Sequence, residues 1–148
     1  MKKYSKAVEH LSAVFEELPD VNLSVGGVGE LALAHHLDHT LSPGGKGADA
    51  EDDEGNLYEY KVSTTNQFNF HHGGREEGYE ARIIRHWKKM KGAYVAQRDG
   101  MKILEVGYVD GKVMLDFLLE HFRNTKGVQL NKNCSMAQIS KIGETWKT

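Results

Sequence analysis

The spacing of hydrophobic residues predicts helices in five parts of the chain. A helix is expected over residues 2–18, because apolar residues recur there every three or four positions and Pro19 follows. Its apolar stripe consists of Ala7, Leu11, Val14, Phe15 and Leu18. A second helix, rich in Ala and Leu, is expected over residues 26–37. The remaining helices are expected over residues 75–91, where Gly92 ends the helix, in a buried segment that starts at Lys112, and over residues 135–142.

Residues 47–61 have the pattern of a β-hairpin whose loop lies at Gly55. Glycine readily takes up the left-handed conformation that a three-residue loop over residues 53–55 requires. With that loop, Asp49 lies opposite Glu59, and cross-strand partners point to the same face of a sheet. A two-residue loop would instead send the two carboxylates to opposite faces. The register of this hairpin therefore decides whether they meet.

Side chains alternate along a strand, so the second strand of the hairpin has two different faces. Lys61 shares the face of Glu59, whereas Tyr58 and Tyr60 occupy the other, apolar face. Glu30 precedes the hairpin on the predicted helix over residues 26–37. It has two equally good explanations, a carboxylate near a helix start, where the helix dipole favours it, or a further acidic group of a site.

Further strands are expected over residues 93–97 and 102–109, joined by a turn at residues 98–100. Phe68 and Phe70 alternate with polar neighbours, which indicates another strand beside the hairpin. Strands interleaved with helices in this way predict an α/β fold. We expect a central mixed sheet of four to five strands that is flanked by helices.

The pattern of Asp49, nine residues and then Glu59-Tyr60-Lys61 resembles the PD-(D/E)XK nucleases, the restriction-endonuclease-like superfamily. The signature of that family is an Asp followed after a hairpin by Glu-x-Lys. Ala48 stands where the family has Pro before the Asp. The resemblance covers roughly residues 26–70, which is under half of the chain. It implies a restriction-endonuclease-like core, most like that of a small type II restriction endonuclease.

The resemblance also implies a metal-dependent mechanism and assigns its residues. Asp49 and Glu59, with the backbone carbonyl of Tyr60, would bind Mg²⁺, for which Mn²⁺ would substitute. Lys61 would orient or deprotonate the attacking water and offset charge in the transition state. Glu30 matches the acidic residue that many members carry on the preceding helix, and it would bind a second ion or a metal-bound water. Cleavage would leave 5′-phosphate and 3′-hydroxyl ends.

Polar and basic residues after the hairpin are candidate contacts to double-stranded DNA. Asn and Gln side chains can bond adenine edges, and basic residues at helical spacing suit phosphates. The alternative is an edge strand with buried Phe side chains and solvated amides, followed by a solvated basic helix face. The candidates are Asn66, Gln67, Asn69, His71, Arg75, Arg82, Arg85 and Lys89.

Charge is distributed unevenly along the chain, although the formal net charge is only −2. Residues 1–60 carry 4 Lys and Arg against 12 acidic residues, whereas residues 61–148 carry 15 against 9. The basic half could approach a polyanion. The single cysteine excludes an internal disulfide framework, and neither a signal region nor a membrane-spanning run is evident. We therefore expect one cytoplasmic domain over residues 1–148, without a membrane partner.

Histidine and cysteine provide weaker signals for chemistry. His35 and His39 lie one helical turn apart, a spacing that can bind zinc, but no Glu follows His35 as in a metalloprotease motif. Histidines that interact with the end of the helix are the better explanation. Cys134 has no paired Cys and no obvious base nearby in the sequence, so we expect a small buried residue.

Three functional classes fit these observations. The leading one is a Mg²⁺-dependent endonuclease, a sequence-specific type II restriction enzyme that works as a homodimer, because one site cuts one strand. A structure-specific nuclease such as a Holliday-junction resolvase is the second, although the sequence pI near 6.4 counts against the broad basic surface it needs. The third is a non-enzymatic nucleic-acid-binding module, whose function the Lys61→Ala change would leave unaffected. The sequence leaves DNA and RNA open as substrates.

Overall fold

The protein is described by a computed structural model over residues 3–19, 25–42, 47–72, 78–125 and 130–148. The helices in these residues are α1 (Ser5–Glu17), α2 (Val25–Leu37), α3 (Tyr79–Lys88), α4 (Gly111–Asn124) and α5 (Met136–Ile142). The strands are β1 (Thr40–Leu41), β2 (Ala50–Glu51), β3 (Leu57–Ser63), β4 (Phe68–His72), β5 (Met90–Asp99), β6 (Lys102–Asp110), β7 (Leu130–Cys134) and β8 (Glu144–Lys147).

Six of these strands form one mixed sheet in the order β1-β2-β3-β5-β6-β8. The β3 and β5 strands run parallel, and the other neighbours in this sheet are antiparallel. The mixed α/β class is thus confirmed, but the sheet has more strands than the expected four to five. The additions are β1, which is too short to show a period in sequence, and β8, which is largely polar and exposed. The β4 strand instead pairs with β7 in a separate two-stranded sheet.

The main sheet is covered on both faces. On one face α2 packs its Leu33 against Tyr60 and Val106. On the other, α3, α4 and α5 bury a larger cluster that includes Trp87 and Leu118. Side chains alternate along a strand, so successive residues of one strand serve both clusters. In this arrangement Glu59 of β3 lies next to His86 of α3.

Two glycines explain how α3 and α4 join the sheet. Gly92 was expected to end a helix over residues 75–91, but α3 ends at Lys88, and Gly92 lies in β5. A Cβ at Gly92 would lie 2.3 Å from the ring of Tyr108 on the neighbouring strand, so the glycine makes room for that ring. At the start of α4, a Cβ on Gly111 would lie 2.2 Å from the carbonyl oxygen of Met90. Both glycines therefore serve close packing and not helix termination.

Side-chain hydrogen bonds cap two of the helices, and two local predictions are confirmed. Asp110 caps α4 by accepting a hydrogen bond from the backbone N–H of Lys112 at 3.0 Å. Ser135 and Gln138 form a complete capping box at the start of α5. Cys134 is fully buried, as expected. The α1 helix also forms within the predicted range, but none of its residues is buried.

Candidate active site

A three-residue loop closes the hairpin, as the sequence predicted. Gly55 has a φ of +80°, and the N–H of Asp52 donates to the carbonyl of Asn56 at 3.1 Å. The Asp52 carboxylate accepts hydrogen bonds from the side-chain amide and backbone N–H of Asn56, from the hydroxyl of Tyr58 and from the N–H of Glu54. These bonds lower the pKa of Asp52 well below its ordinary value, and the bond from the Asn56 side chain has the largest effect. The acidic loop is therefore a defined turn.

The register of the hairpin brings two carboxylates together. Ala50 pairs with Tyr58, which places Asp49 opposite Glu59 on the next pair outward, as predicted. At this point one hydrogen bond between the two strands is accepted by the side-chain carboxylate of Asp49. The N–H of Asp49 donates to the carbonyl of Tyr58 at 3.0 Å, and Asp49 Oδ2 accepts from the N–H of Tyr60 at 2.8 Å. The backbone of β3 therefore holds Asp49 in place.

Glu59 is the centre of a charged cluster. Its side chain is only 14% exposed, and Oε1 accepts from Lys61 Nζ at 3.1 Å. On the other side, His86 Nε2 lies 3.3 Å from Oε2. Burial alone would raise the pKa of Glu59, but the nearness of His86 and Lys61 outweighs burial and leaves the pKa below its ordinary value. Glu59 is thus held ionised between two nitrogen groups.

Asp49 and Glu30 belong to the same electrostatic cluster but are shifted in the opposite direction. Burial and then the charge of Glu59 raise the pKa of Asp49 to about 6. Burial and then the charge of Asp49 raise the pKa of Glu30 to about 7, while Lys61 opposes the rise. Glu30 lies in the middle of α2, beyond the first turn, so its interpretation as a helix-start acid is wrong. The charges of Asp49 and Glu59 reach this carboxyl group, so α2 brings it to the hairpin cluster.

The carboxylates of this cluster suit a hard divalent cation that takes few of its ligands from the protein. Among the described residues, no three or more His, Cys, Asp or Glu side chains form a ligand group. Magnesium, however, is commonly bound through one or two carboxylates and keeps several waters. Asp49 and Glu59 supply two such carboxylates, and their mutual repulsion is what a cation would relieve. The residues therefore fit the expected ion by their chemistry.

His86 was not identified from the sequence, although a signal was present. It lies on α3 at helical spacing from Arg82 and Lys89, the basic stripe that was singled out. His86 Nε2 is buried and is not aligned with Glu59 for a hydrogen bond, so this nitrogen has no hydrogen-bond partner in the described part of the chain. Only the fold shows that α3 carries His86 to Glu59, because the two residues meet across separate elements.

An open basic pocket of about 240 Å³ adjoins His86 on α3. Five of its seven lining residues are basic or imidazole side chains and none is acidic, which makes it a suitable place for an anion. His72 accepts a hydrogen bond from the indole N–H of Trp87 at 3.0 Å. Burial and then the neighbouring His86 lower the pKa of His72 to about 4. The pocket is lined by His72, Tyr79, Arg82, Ile83, Arg85, His86 and Lys89.

The polar residues around β4 are less open to a ligand than the sequence suggested. Asn66 Oδ1 accepts from the N–H of Met136 at 2.7 Å and so caps α5. Asn69 Nδ2 donates to the side-chain oxygens of Asn131 and Asn133 on β7. Phe68 and Phe70 are buried, as the alternative of an edge strand predicted, but the amides of Asn66 and Asn69 bond to protein groups, which that alternative did not predict. Gln67 and His71 are exposed, and Arg75 lies outside the described residues.

The histidines near the end of α2 do not converge on one point. His35 and His36 are exposed, whereas His39 stacks on Tyr58 with ring centroids 4.9 Å apart. His39 Nδ1 lies 2.7 Å from the hydroxyl of Tyr60. Burial lowers the pKa of His39 below its ordinary value. His39 therefore belongs to the aromatic core beneath the hairpin, on the face opposite Glu59.

Comparison with known proteins adds no relatives. No protein-family model matches the chain, and no curated protein matches it significantly. Within the ranges that the structure describes, no helix combines the length and the apolar character needed to cross a membrane. The fold and the site together define a mixed α/β protein with a carboxylate and lysine cluster at the end of a hairpin, beside a basic pocket.

Proposed function

We propose that the protein is a Mg²⁺-dependent endonuclease that hydrolyses phosphodiester bonds in double-stranded DNA, as a small type II restriction enzyme with a restriction-endonuclease-like core. The observation that carries this proposal is the hairpin register, which sets Asp49 opposite Glu59 and leaves Lys61 hydrogen-bonded to Glu59. A non-enzymatic acidic turn has no need for three carboxyl groups so close that the charge of Glu59 raises the pKa of Asp49 and the charge of Asp49 raises that of Glu30. The proposal includes a cytoplasmic location and a homodimer, since cleavage of both strands takes two sites.

Each residue of the cluster has a role that its surroundings favour. Asp49, Glu59 and the backbone carbonyl of Tyr60 would hold Mg²⁺, or Mn²⁺ in its place. When bound, the ion polarises the scissile phosphate and lowers the pKa of a water ligand. Lys61 keeps its ammonium group at the cluster by its bond to Glu59, where it orients the attacking water and offsets negative charge on the phosphate. Glu30 can accept a proton near neutral pH or help to hold a second ion.

The basic pocket supports DNA as the substrate. Arg82, Arg85 and Lys89 line the pocket, and His86 joins it to Glu59, so a strand whose phosphate occupies the pocket passes directly beside the carboxylates. Such backbone contacts position a strand and do not select its sequence.

The candidate DNA contacts at and after β4 differ in whether their side chains already have partners. Gln67, His71 and Arg75 remain candidate DNA contacts, and so do Asn66 and Asn69, whose side chains would have to leave the partners described above. A junction resolvase needs a broad basic surface. A small basic pocket, in a chain with a net charge of −2, therefore favours a restriction enzyme.

Plasmid cleavage tests the proposed activity. Purified protein is incubated with supercoiled plasmid and Mg²⁺, and the products are resolved on a gel beside EDTA and Lys61→Ala reactions. Lys141→Ala is a matched control, because Lys141 is an exposed lysine of α5. Discrete linear fragments that require Mg²⁺ and Lys61 support the proposal. Cleavage confined to branched DNA or to RNA would change the substrate class, and no cleavage of plasmid, genomic, branched or RNA substrates would refute nuclease activity.

A binding experiment tests the pocket separately. Duplex DNA is titrated with the protein in EDTA at several salt concentrations, which removes cleavage from the measurement. Arg85→Ala should weaken binding to all sequences alike and reduce the salt slope by about 1, since one phosphate contact is lost. The Lys141→Ala control should leave the slope unchanged. An unaltered slope for Arg85→Ala would exclude the pocket from DNA binding.

A further inference from the structure

The α1 helix presents a row of large apolar side chains to solvent. Tyr4 is 65% exposed, Val8 59%, and Leu11 and Phe15 54% each. The row runs along a single side of the helix, and Leu18 extends it. Since α1 has no buried residue, the described part of the chain does not cover this row. Apolar rows of this size on a helix generally mark a contact surface.

The spacing of the row is that of a coiled-coil seam. The steps between Tyr4, Val8, Leu11, Phe15 and Leu18 are alternately four and three residues, which is the a/d pattern of a heptad. A seam with this spacing packs on another helix that has the same spacing.

The flanks of the seam favour a second copy of this chain as the partner. The positions beside the row carry small or uncharged side chains, so two copies meet without like charges in contact. The charged residues of α1 lie well away from the row, and Ala13 marks the side directly opposite it. The flanking residues are Ser5, Ala7, Ser12 and Val14.

We infer that α1 is a homodimerisation helix, which packs on α1 of a second copy across a two-fold axis at Leu11. Leu11 is the middle residue of the seam, so it faces its own copy whether the two helices run parallel or antiparallel. A helix of 13 residues buries less area than a standard interface, so the dimer should dissociate at protein concentrations on the order of micromolar. This interface does not depend on the proposed nuclease function.

Disulfide crosslinking tests the inference directly. Cys134 is the chain's single cysteine and is fully buried, so a cysteine introduced on α1 is the one that reacts. Leu11→Cys should form a disulfide-linked dimer under mild oxidation at about ten times the dissociation constant. Ala13→Cys, an equally accessible change on the opposite side of α1, should stay largely monomeric. Val8→Cys should crosslink well when the helices are parallel and poorly when they are antiparallel.

Light scattering provides the second measurement. Wild-type protein should shift from monomer to dimer mass with rising concentration, and Leu11→Glu should remain a monomer. Because α1 contributes no buried residue, Leu11→Glu should keep the circular dichroism and the thermal midpoint of the dilute wild type. A wild type that stays monomeric at about 100 μM, or Leu11→Cys and Ala13→Cys that crosslink equally, would overturn the inference.

The two proposals fail independently. Crosslinking and mass are measured without DNA, so they stand even when the protein cleaves nothing. When plasmid is cleaved, loss of the dimer by Leu11→Glu should convert linear products into nicked circles. Double-strand cleavage by a monomeric Leu11→Glu would separate the dimer from the nuclease activity.

Discussion

Removing the charge of Glu30 should stabilise the metal-free protein and lower the proposed nuclease activity. Burial and the charge of Asp49 raise the pKa of Glu30 from 4.5 to about 7, so ionisation of this carboxyl opposes folding. Each tenfold change in an acid dissociation constant corresponds to about 1.4 kcal/mol, which sets a ceiling of about 3 kcal/mol. The carboxyl is only half-buried, and water screens its interactions, so we expect about 1 kcal/mol.

The pH dependence follows from the direction of the shift. A carboxyl whose folded pKa is raised contributes stability below its unfolded pKa of 4.5 and loses that contribution as the pH rises through about 7. Glu30→Gln cannot ionise, so its gain over the wild type should be small at pH 5 and complete near pH 8. A gain of about 1 kcal/mol would raise the melting temperature by about 3 °C.

Urea denaturation in EDTA at pH 5 and pH 8 measures this gain. Glu120→Gln, an exposed carboxyl of α4, is the matched control and should change little at either pH. Added Mg²⁺ at pH 8 should stabilise the wild type more than Glu30→Gln. A variant that is less stable than the wild type at pH 8, or equally stabilised at both pH values, would show that ionisation of Glu30 does not destabilise the folded protein.

Three further changes test other parts of the structure. Lys61→Ala should lower the rate of DNA cleavage about 100-fold or more, because Lys61 bonds Glu59 at the proposed site, and it should leave the circular dichroism unchanged, because the Lys61 side chain is 27% exposed. Wild-type rates would contradict its role. Gly55→Ala should cost about 1 kcal/mol in urea denaturation and Gly55→Asn less, because no atom lies within 4 Å of the added Cβ and the cost is that of the left-handed backbone. Tyr79→Phe should cost about 2 kcal/mol, since its hydroxyl donates to the carbonyl of His72 and accepts from the buried N–H of Leu130 at 2.8 Å. Equal stability of Gly55→Ala and Gly55→Asn, or of Tyr79→Phe and the wild type, would contradict these assignments.

The hairpin could be predicted from the sequence because everything that fixes its register is local. Gly55 sets the loop type, and Asp52 and Asn56 close it through bonds that span four residues. The caps of α4 and α5 are local in the same sense, since each depends on a polar side chain within three residues of the helix start. Local rules of this kind operate before any tertiary contact forms.

The rest of the site depends on contacts that no local pattern specifies. His86 meets Glu59 across two elements, and Asn66 meets Met136 70 residues away. The end of α3 was misplaced because Gly92 resembles a helix stop in sequence, while its real cause is the Tyr108 ring on another strand. The pairing of β4 with β7 was likewise hidden, since both strands are short and the partner lies far along the chain.

The local origin of the hairpin also affects how the protein would respond to its ion during folding. Asp49 and Glu59 are separated by a short loop, and the entropy lost in closing such a loop is small. The two carboxylates therefore come together whenever the hairpin forms, even in a chain whose other elements have not yet folded. An ion that also binds such chains stabilises the native state by less than its affinity for the finished site. Binding of the proposed Mg²⁺ ion is thus better measured by direct titration than by a shift in melting temperature.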